Sequence, residues 1–353
     1  FKNSQMVSLI KGSVVQESSL PDSSESKEKD KQSTAAEEKA NSAVKIESAG
    51  NGHTFQKYSL EIINNNNCPV AEQIMKETEK LLEVLDSKNA GMIQTAFKSD
   101  KFIASKIAGL VRFNAPQVIQ EHIKADINKT ITGWELRRIR VLTYYPTLNR
   151  QAGEYLILDF DTTGKLNDVN FGLYDQLYTQ FVKQGEYGND WGNRQVIVKF
   201  VERYRTAYLT RNMAMLDSLF ADEAVIIIGR ELKKGRKRDD FQYAKLNDAQ
   251  PDYSYTQYTK KEYLKNQKKA FENQKDLFLG FSSFKISRKN DSDGTYGLSM
   301  KQNYTSSGYA DEGHLFLLVD FQQAQPQIYV RSWQPHEWNE DAIIKLANFK
   351  LNK

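Results

Sequence analysis

The chain has 353 residues, 39% of them hydrophobic, with 18 Phe, 18 Tyr and 4 Trp, which is enough for ordinary cores in two or three domains. Lys and Arg number 49 against 45 Asp and Glu, a net charge of +4 with both signs interspersed, so no global field points to nucleic acid as a partner. The single cysteine, Cys68, excludes an internal disulfide and a cysteine-built zinc site, and no apolar run approaches the roughly 20 residues of a membrane helix.

Residues 1–66 hold little core. Met6, Val7, Leu9, Ile10, Val14 and Val15 fit one or two short strands. Residues 18–48 form a Ser/Glu/Lys/Ala tract with almost no large apolar side chain, which cannot bury enough surface to offset its ordering entropy. It reads as a linker, inert or acting as a tether, with partial helix over 34–45. A short strand follows over 54–63, ended by Asn64, Asn65, Asn66 and Asn67. The start at Phe1 rather than Met fits either a cleaved signal peptide or an expression trim.

From Pro69 the text is globular. Pro69 suits a helix start, and Val70, Ile74, Thr78, Leu81, Leu82 and Leu85 form one stripe. Asp86, Ser87 and Lys88 interrupt it, a short helix is expected over 92–97, and Phe102 and Ile103 open a new element. A helix over 116–126 is then expected, with strands over 134–144 and 154–160 and a return over 169–173 after the turn at 162–165. A helix over 173–183 and the turn residues 185–192 join this unit to the next.

The stretch 194–230 is the most strongly patterned in the chain. Val196, Phe200, Tyr204, Ala207, Tyr208 and Leu209 share a helical stripe, with Lys199, Glu202, Arg203 and Arg205 outside it. The helix breaks at Thr210, Arg211 and Asn212, and a short one follows over 213–220. Ala221, Asp222 and Glu223 read as a turn, and Val225, Ile226, Ile227 and Ile228 as a buried strand stopped by Gly229 and lying against the first helix. Residues 229–252 are a polar excursion with Arg230, Lys233, Lys234, Arg236, Lys237 and Arg238. That cluster reads as a solvated loop, with an anionic glycan, a lipid headgroup or nucleic acid as minority partners. Thr259 and Glu262 make a capping box for a helix to about residue 273. Strands follow over 277–288, 296–305, 314–321 and 328–333, so the fold class is α+β, with helices on one side of a curved antiparallel sheet.

Residues 85–103 lie over 209–226, and Leu156 to Phe160 resembles Leu317 to Phe321 in the same order, so the chain reads as an internal duplication. The expected organisation is an N-terminal segment over 1–66, a cone-like α+β domain over 67–186 and a second over 187–353.

The run Ser218-Leu219-Phe220-Ala221-Asp222-Glu223-Ala224, after a helix and an interrupted turn, resembles the nuclear transport factor 2-like superfamily, which includes ketosteroid isomerase. The resemblance covers about 190–340, and reaches 68–183 only through the duplication. Tyr263-Leu264, the stretches 301–307 and 311–320, and Val330-Arg331-Ser332-Trp333-Gln334-Pro335 more narrowly resemble a group of exported proteins of Gram-negative anaerobes. That likeness implies export to the periplasm or cell envelope and a cavity between sheet and helices, and it brings no activity. The isomerase machinery does not carry over. Tyr204 stands where that family has its tyrosine, but its base position is Ile228 here and its oxyanion acid position is Leu317, and neither side chain can exchange a proton.

Other constellations are sparse. His53, His122, His314 and His336 lack metal-ligand spacing, and Asp159, Asp161 and Thr163 before Gly164 read as a β-turn rather than a calcium loop, since the twelfth position is Asn170. No metal and no cofactor is expected. The candidate cavity groups are Tyr204, Tyr208, Lys301, Tyr304, His314, Arg331 and Trp333. They suit a non-catalytic exported protein that binds a small or amphipathic ligand, or one that pairs with protein, including a second copy, through its sheet. The alternatives are an enzyme using the same cavity with an unfamiliar set, Tyr204 with His314 or Asp311, and an envelope component that uses the 18–48 tract as a spacer.

Overall fold

A helix with apolar residues on one flank and charges on the other normally turns the charges to water, but the helix over Trp191–Leu209 turns both flanks inward. In the computed structural model the described residues are 7–9, 58–64, 68–120, 122–173, 178, 191–231, 253–288, 294–322, 325–335 and 344–351. The 18–48 tract, most of the expected 173–183 helix, the basic cluster beyond Arg230, His53 and His336 lie outside them.

In chain order the elements are β1 (Val7–Leu9), β2 (Ser59–Ile63), α1 (Ala71–Ser87), α2 (Ala90–Ala96), α3 (Lys101–Phe113), β3 (Gln117–Val118), β4 (His122–Lys129), β5 (Trp134–Tyr145), β6 (Arg150–Phe160) and β7 (Leu166–Phe171). Then come α4 (Trp191–Leu209), α5 (Met213–Ser218), β8 (Phe220–Glu231), β9 (Tyr253–Thr259), α6 (Lys260–Asn273), β10 (Leu277–Arg288), β11 (Thr295–Ser306), β12 (Tyr309–Asp320), β13 (Gln327–Pro335) and β14 (Phe349–Leu351). One sheet runs β2-β4-β5-β6-β7, with β3 beside β5; the second runs β10-β11-β12-β13-β8-β9; β1 and β14 pair separately. Both large sheets sit in one compact unit, residues 1–9 and 58–353. The architecture is α+β, two helix-on-sheet units with matched meanders, β5-β6-β7 and β11-β12-β13. No helix among the described residues is long and apolar enough to cross a membrane.

Several expectations need correction. The described part of 116–126 holds the strands β3 and β4, not a helix: Ile123, Ala125 and Ile127 are buried alternately with exposed or half-buried neighbours, a period of two. Phe102 and Ile103 begin the helix α3, whose N-cap Asp100 accepts from the Ile103 amide at 3.1 Å. The duplication therefore holds for the meanders and fails at this point, because Ile103, Ile107 and Leu110 repeat at helical spacing where Val225 to Ile228 form a β-branched strand. Ala221, Asp222 and Glu223 lie within β8 rather than in a turn, and β8 passes through Gly229 to Glu231. There β8 runs parallel to β13 and antiparallel to β9, a strand not foreseen as such. The Thr259–Glu262 capping box is present and opens α6.

The charged flank of α4 meets the first sheet. Arg205 forms a two-pronged pair with Glu154 of β6 at 2.8 and 2.7 Å, and both side chains are almost wholly buried. Glu202 is paired with Arg137 of β5 and accepts from the Leu173 amide at 3.0 Å. Lys199 donates to Asp159 at 2.7 Å, and Thr206 Oγ1 accepts from the Phe171 amide at 2.8 Å. The expectation that these charges lie outside the packed stripe holds only for their chemistry, since Glu202 and Arg205 are as buried as the core. A buried charge survives only when paired and hydrogen-bonded, and each of these is. The other flank of α4 puts Phe200, Tyr204 and Tyr208 into the apolar core with Leu279, Phe281, Leu298 and Met300 of the second sheet.

Removing one partner from such a pair leaves an uncompensated buried charge, which costs about 3–5 kcal/mol. In urea denaturation Arg205→Met and Glu154→Met are each expected to lose stability in that range. The double variant should lose clearly less than the sum of the two, the signature of direct coupling.

Candidate functional site

Along the three central strands of the second sheet, alternation sorts the side chains. Leu315, Leu317 and Val319 join the main core, whereas Phe316 and Leu318 join a separate outer cluster with Ile227, Val330, Leu346 and Phe349. The inner face therefore presents Gln302 and Tyr304 from β11, Asp311 from β12, and Arg331 and Trp333 from β13. Together with Tyr208 of α4, Ile228 to Arg230 of β8, and Tyr263, Gln267 and Ala270 of α6, they line a cavity of about 420 Å³. That falls within the range of small-molecule sites, roughly 300–1,000 Å³.

A chain of hydroxyls runs along its inner wall. Arg331 Nε donates to the Tyr204 hydroxyl at 3.0 Å, Tyr204 donates to the Tyr208 hydroxyl at 3.1 Å, and the hydroxyls of Tyr208 and Tyr263 are in contact. The Arg331 guanidinium also lies over the Tyr263 ring, 5.2 Å from its centroid. Burial, with Tyr204 and Tyr263 beside it, holds the Tyr208 hydroxyl well above the ordinary tyrosine range, and burial likewise raises Tyr263. Burial opposes the charge on Arg331, while the hydroxyls of Tyr204, Tyr263 and Tyr208 favour it and carry the balance upward. At neutral pH this wall is a set of donors around a fixed cation.

The opposite wall is an acceptor. The Tyr309 hydroxyl donates to Asp311 Oδ2 at 2.5 Å, and burial raises the Asp311 carboxyl above the usual range. Tyr304, directly across from Asp311 in the register, donates to Gln274 Oε1 at 2.6 Å, and burial pushes its hydroxyl up to about 12. Two lining atoms are buried without a hydrogen-bond partner among the described residues: Asp311 Oδ1 and Trp333 Nε1. Buried polar atoms rarely stay unpaired, and each costs about 1–3 kcal/mol when it does.

Of the residues singled out from sequence, Tyr208, Tyr304, Arg331 and Trp333 line the cavity, and Tyr204 stands behind its wall. Lys301 and His314 do not join them. They are register partners on the outer face, where Lys301 is ion-paired with Glu312. Alternation separates Lys301 from Tyr304 and His314 from Asp311, a parity that counting residues along each strand shows. Sequence reasoning missed Gln267 and Gln274, although Tyr263, Gln267, Ala270 and Gln274 recur at helical spacing along α6 and its C-cap. The two positions that would carry isomerase chemistry are apolar in place: Ile228 lines the cavity and Leu317 is core. Asp161 Oδ1 accepts from the Thr163 and Lys165 amides at 2.8 and 3.1 Å, which makes that motif a turn. No group of three or more metal-ligating side chains occurs among the described residues.

Among the solved structures that this chain resembles are nuclear transport factor 2-like proteins. One, from Streptomyces avermitilis, is 11% identical, spans 40% of this chain and 94% of its own, and gives a TM-score of 0.29. A second, of unknown function from Pseudomonas putida, is 10% identical over 43% of this chain and 93% of its own, with a TM-score of 0.30. A third, from Nostoc punctiforme and with a cystatin-like fold, is 7% identical over 41% of this chain and 91% of its own, with a TM-score of 0.29. No family model matches the sequence, and no curated protein does.

Gly313 sets one wall. A methyl group there would lie 2.8 Å from Cε2 and Cζ2 of Trp333 and would collide with the Gln334 carbonyl. Gly313→Ala is expected to push the indole off β12, lower the unfolding midpoint in urea and change the Trp333 contribution to intrinsic fluorescence, read as the difference from the same variant in a Trp333→Phe background.

Proposed function

We infer that the second unit binds a small organic molecule in this cavity and does not catalyse its conversion. The observation that carries the reading is the pair of unpartnered atoms on the lining, the Trp333 indole N–H and Asp311 Oδ1, which ask for an acceptor and a donor from whatever fills the space. Five aromatic side chains, Tyr208, Tyr263, Tyr304, Tyr309 and Trp333, supply the apolar area that a small ligand buries, and a few fixed polar groups orient it.

The non-catalytic half of the reading rests on Tyr204. A proton-transfer role would need a base within hydrogen-bond reach of its hydroxyl. That hydroxyl is instead committed to Arg331 and Tyr208, and neither accepts a proton at neutral pH. Pairing through the sheet draws less support, because part of the outer face is already covered: Phe349 stacks on Phe316 with ring centroids 5.5 Å apart, and Leu346 closes over the same cluster.

Native mass spectrometry of protein purified from cell extract without refolding tests the reading. Wild type is expected to carry an additional small-molecule mass that is lost in both Asp311→Ala and Trp333→Phe. An adduct retained by both variants would put the ligand elsewhere and overturn the assignment. So would a wild type that is empty and whose tryptophan emission responds to no small-molecule fraction of the extract.

A further inference from the structure

Three buried basic side chains, Arg205, Arg137 and Lys106, and the part-buried Lys199 each have a carboxylate partner. Arg205 has Glu154, Arg137 has Glu202 and Glu135, Lys106 has Asp168, and Lys199 has Asp159. Arg331 differs from these four. It is 6% exposed, and its partners are the Tyr204 hydroxyl at Nε and the face of the Tyr263 ring. No carboxylate is ion-paired with it among the described residues, and its two terminal nitrogens make no protein hydrogen bond there. Arg331 lines the cavity, and its terminal nitrogens are the part of the fork that the described residues leave unbonded.

This deepens the binding reading above and rests on it. We propose that the cavity takes a small organic carboxylate, with its carboxylate on the terminal nitrogens of Arg331 and a hydrogen-bond donor, such as a hydroxyl, on Asp311. A planar guanidinium offers two parallel N–H groups that match a carboxylate, and Nε is already used to hold the fork in place through Tyr204. A buried cation with no direct ion pair is expensive, so the site gains most from a ligand that brings an anion into contact with it. Asp311 argues against a dianion: its carboxylate shares the space and would repel a second negative charge. Asp311 also gives the ligand a direction, because Oδ2 is taken by Tyr309 whereas Oδ1 has no hydrogen-bond partner among the described residues. The aromatic walls then surround the body of the molecule, whether aliphatic or aromatic.

The test uses the full chain and a paired library: hydroxylated aromatic and aliphatic carboxylates, each with its primary amide of the same shape, screened by ligand-observed NMR and followed by calorimetry. Carboxylates are expected to bind at least about tenfold more tightly than their amides, the scale of one charge-assisted hydrogen-bond pair. Arg331→Met should abolish the preference, and Trp333→Phe should weaken binding while keeping it. Equal binding of acids and amides would overturn the carboxylate assignment and leave the cavity as a ligand site. Absence of binding by both classes would overturn the cavity reading as well. The fold is checked separately. Since Arg331 has no ion pair to lose, Arg331→Met is expected to keep or raise the thermal midpoint of wild type, whereas Arg205→Met lowers it. A collapse of Arg331→Met like that of Arg205→Met would make Arg331 a structural group and sink the proposal.

Discussion

The two-pronged contact between Arg205 and Glu154 is the constraint on which the rest depends. One helix, α4, must cover the second sheet with Phe200, Tyr204 and Tyr208 and at the same time close against the first sheet with Lys199, Glu202, Arg205 and Thr206. Apolar packing alone would let such a helix rotate or slide, because it does not discriminate strongly between similar registers. Charge pairs in a low-dielectric interior do discriminate, since any shift that separates Arg205 from Glu154 strands two buried charges. The rotation of α4 is thus set from the first sheet and read out on the second, where it fixes the tyrosines that wall the cavity.

Two uses of buried charge follow from the same physics. Arg205, Arg137, Lys106 and Lys199 each meet a carboxylate, and the result is rigid, specific and inert. Even there burial is strong enough to pull the Lys106 ammonium below its ordinary value despite Asp168 beside it. In the cavity Arg331 is held by a hydroxyl and an aromatic face, partners that position a guanidinium without neutralising it. The first arrangement stores no capacity for binding, and the second keeps it. Tyr204 links the two, as it belongs to the helix anchored by Arg205 and holds Arg331 in the cavity wall.

The second unit also explains why its strands are irregularly used. β8 sits between β13 and β9, parallel to the former, and its Ile228, Gly229 and Arg230 join Trp333 of β13 on the cavity lining. Close approach there depends on missing side chains. Gly313 lies under the Trp333 indole and against the Gln334 carbonyl, closer than any side chain allows. The first unit keeps the antiparallel meander but replaces the hairpin with helices, and Arg137, Glu154 and Asp159 on its strands serve α4 instead of a ligand.

Periodicity in the sequence was sufficient for much of this protein: α1, the capping box at Thr259, the long strands β10 to β13, the α+β class and the placing of Tyr208, Tyr304, Arg331 and Trp333 in one unit. Those features are local, set by the apolar period and by side-chain to backbone bonds within a few residues. Tertiary structure decided what local patterns cannot carry. His122 to Lys129 is a strand because β2 and β5 pair with it on either side, although Pro116 before it resembled a helix start. Glu202 and Arg205 look like a solvated flank until Arg137 and Glu154, more than fifty residues away, arrive to pair them. Lys301 and His314 share strands with cavity residues yet face the other side: the opposite parity can be counted in the sequence, but which parity faces the cavity is set by the assembled sheet. Among the described residues Arg331 makes no ion pair where Arg137, Arg205 and Lys106 each make one, and that difference is a property of three-dimensional surroundings that no stretch of sequence can state.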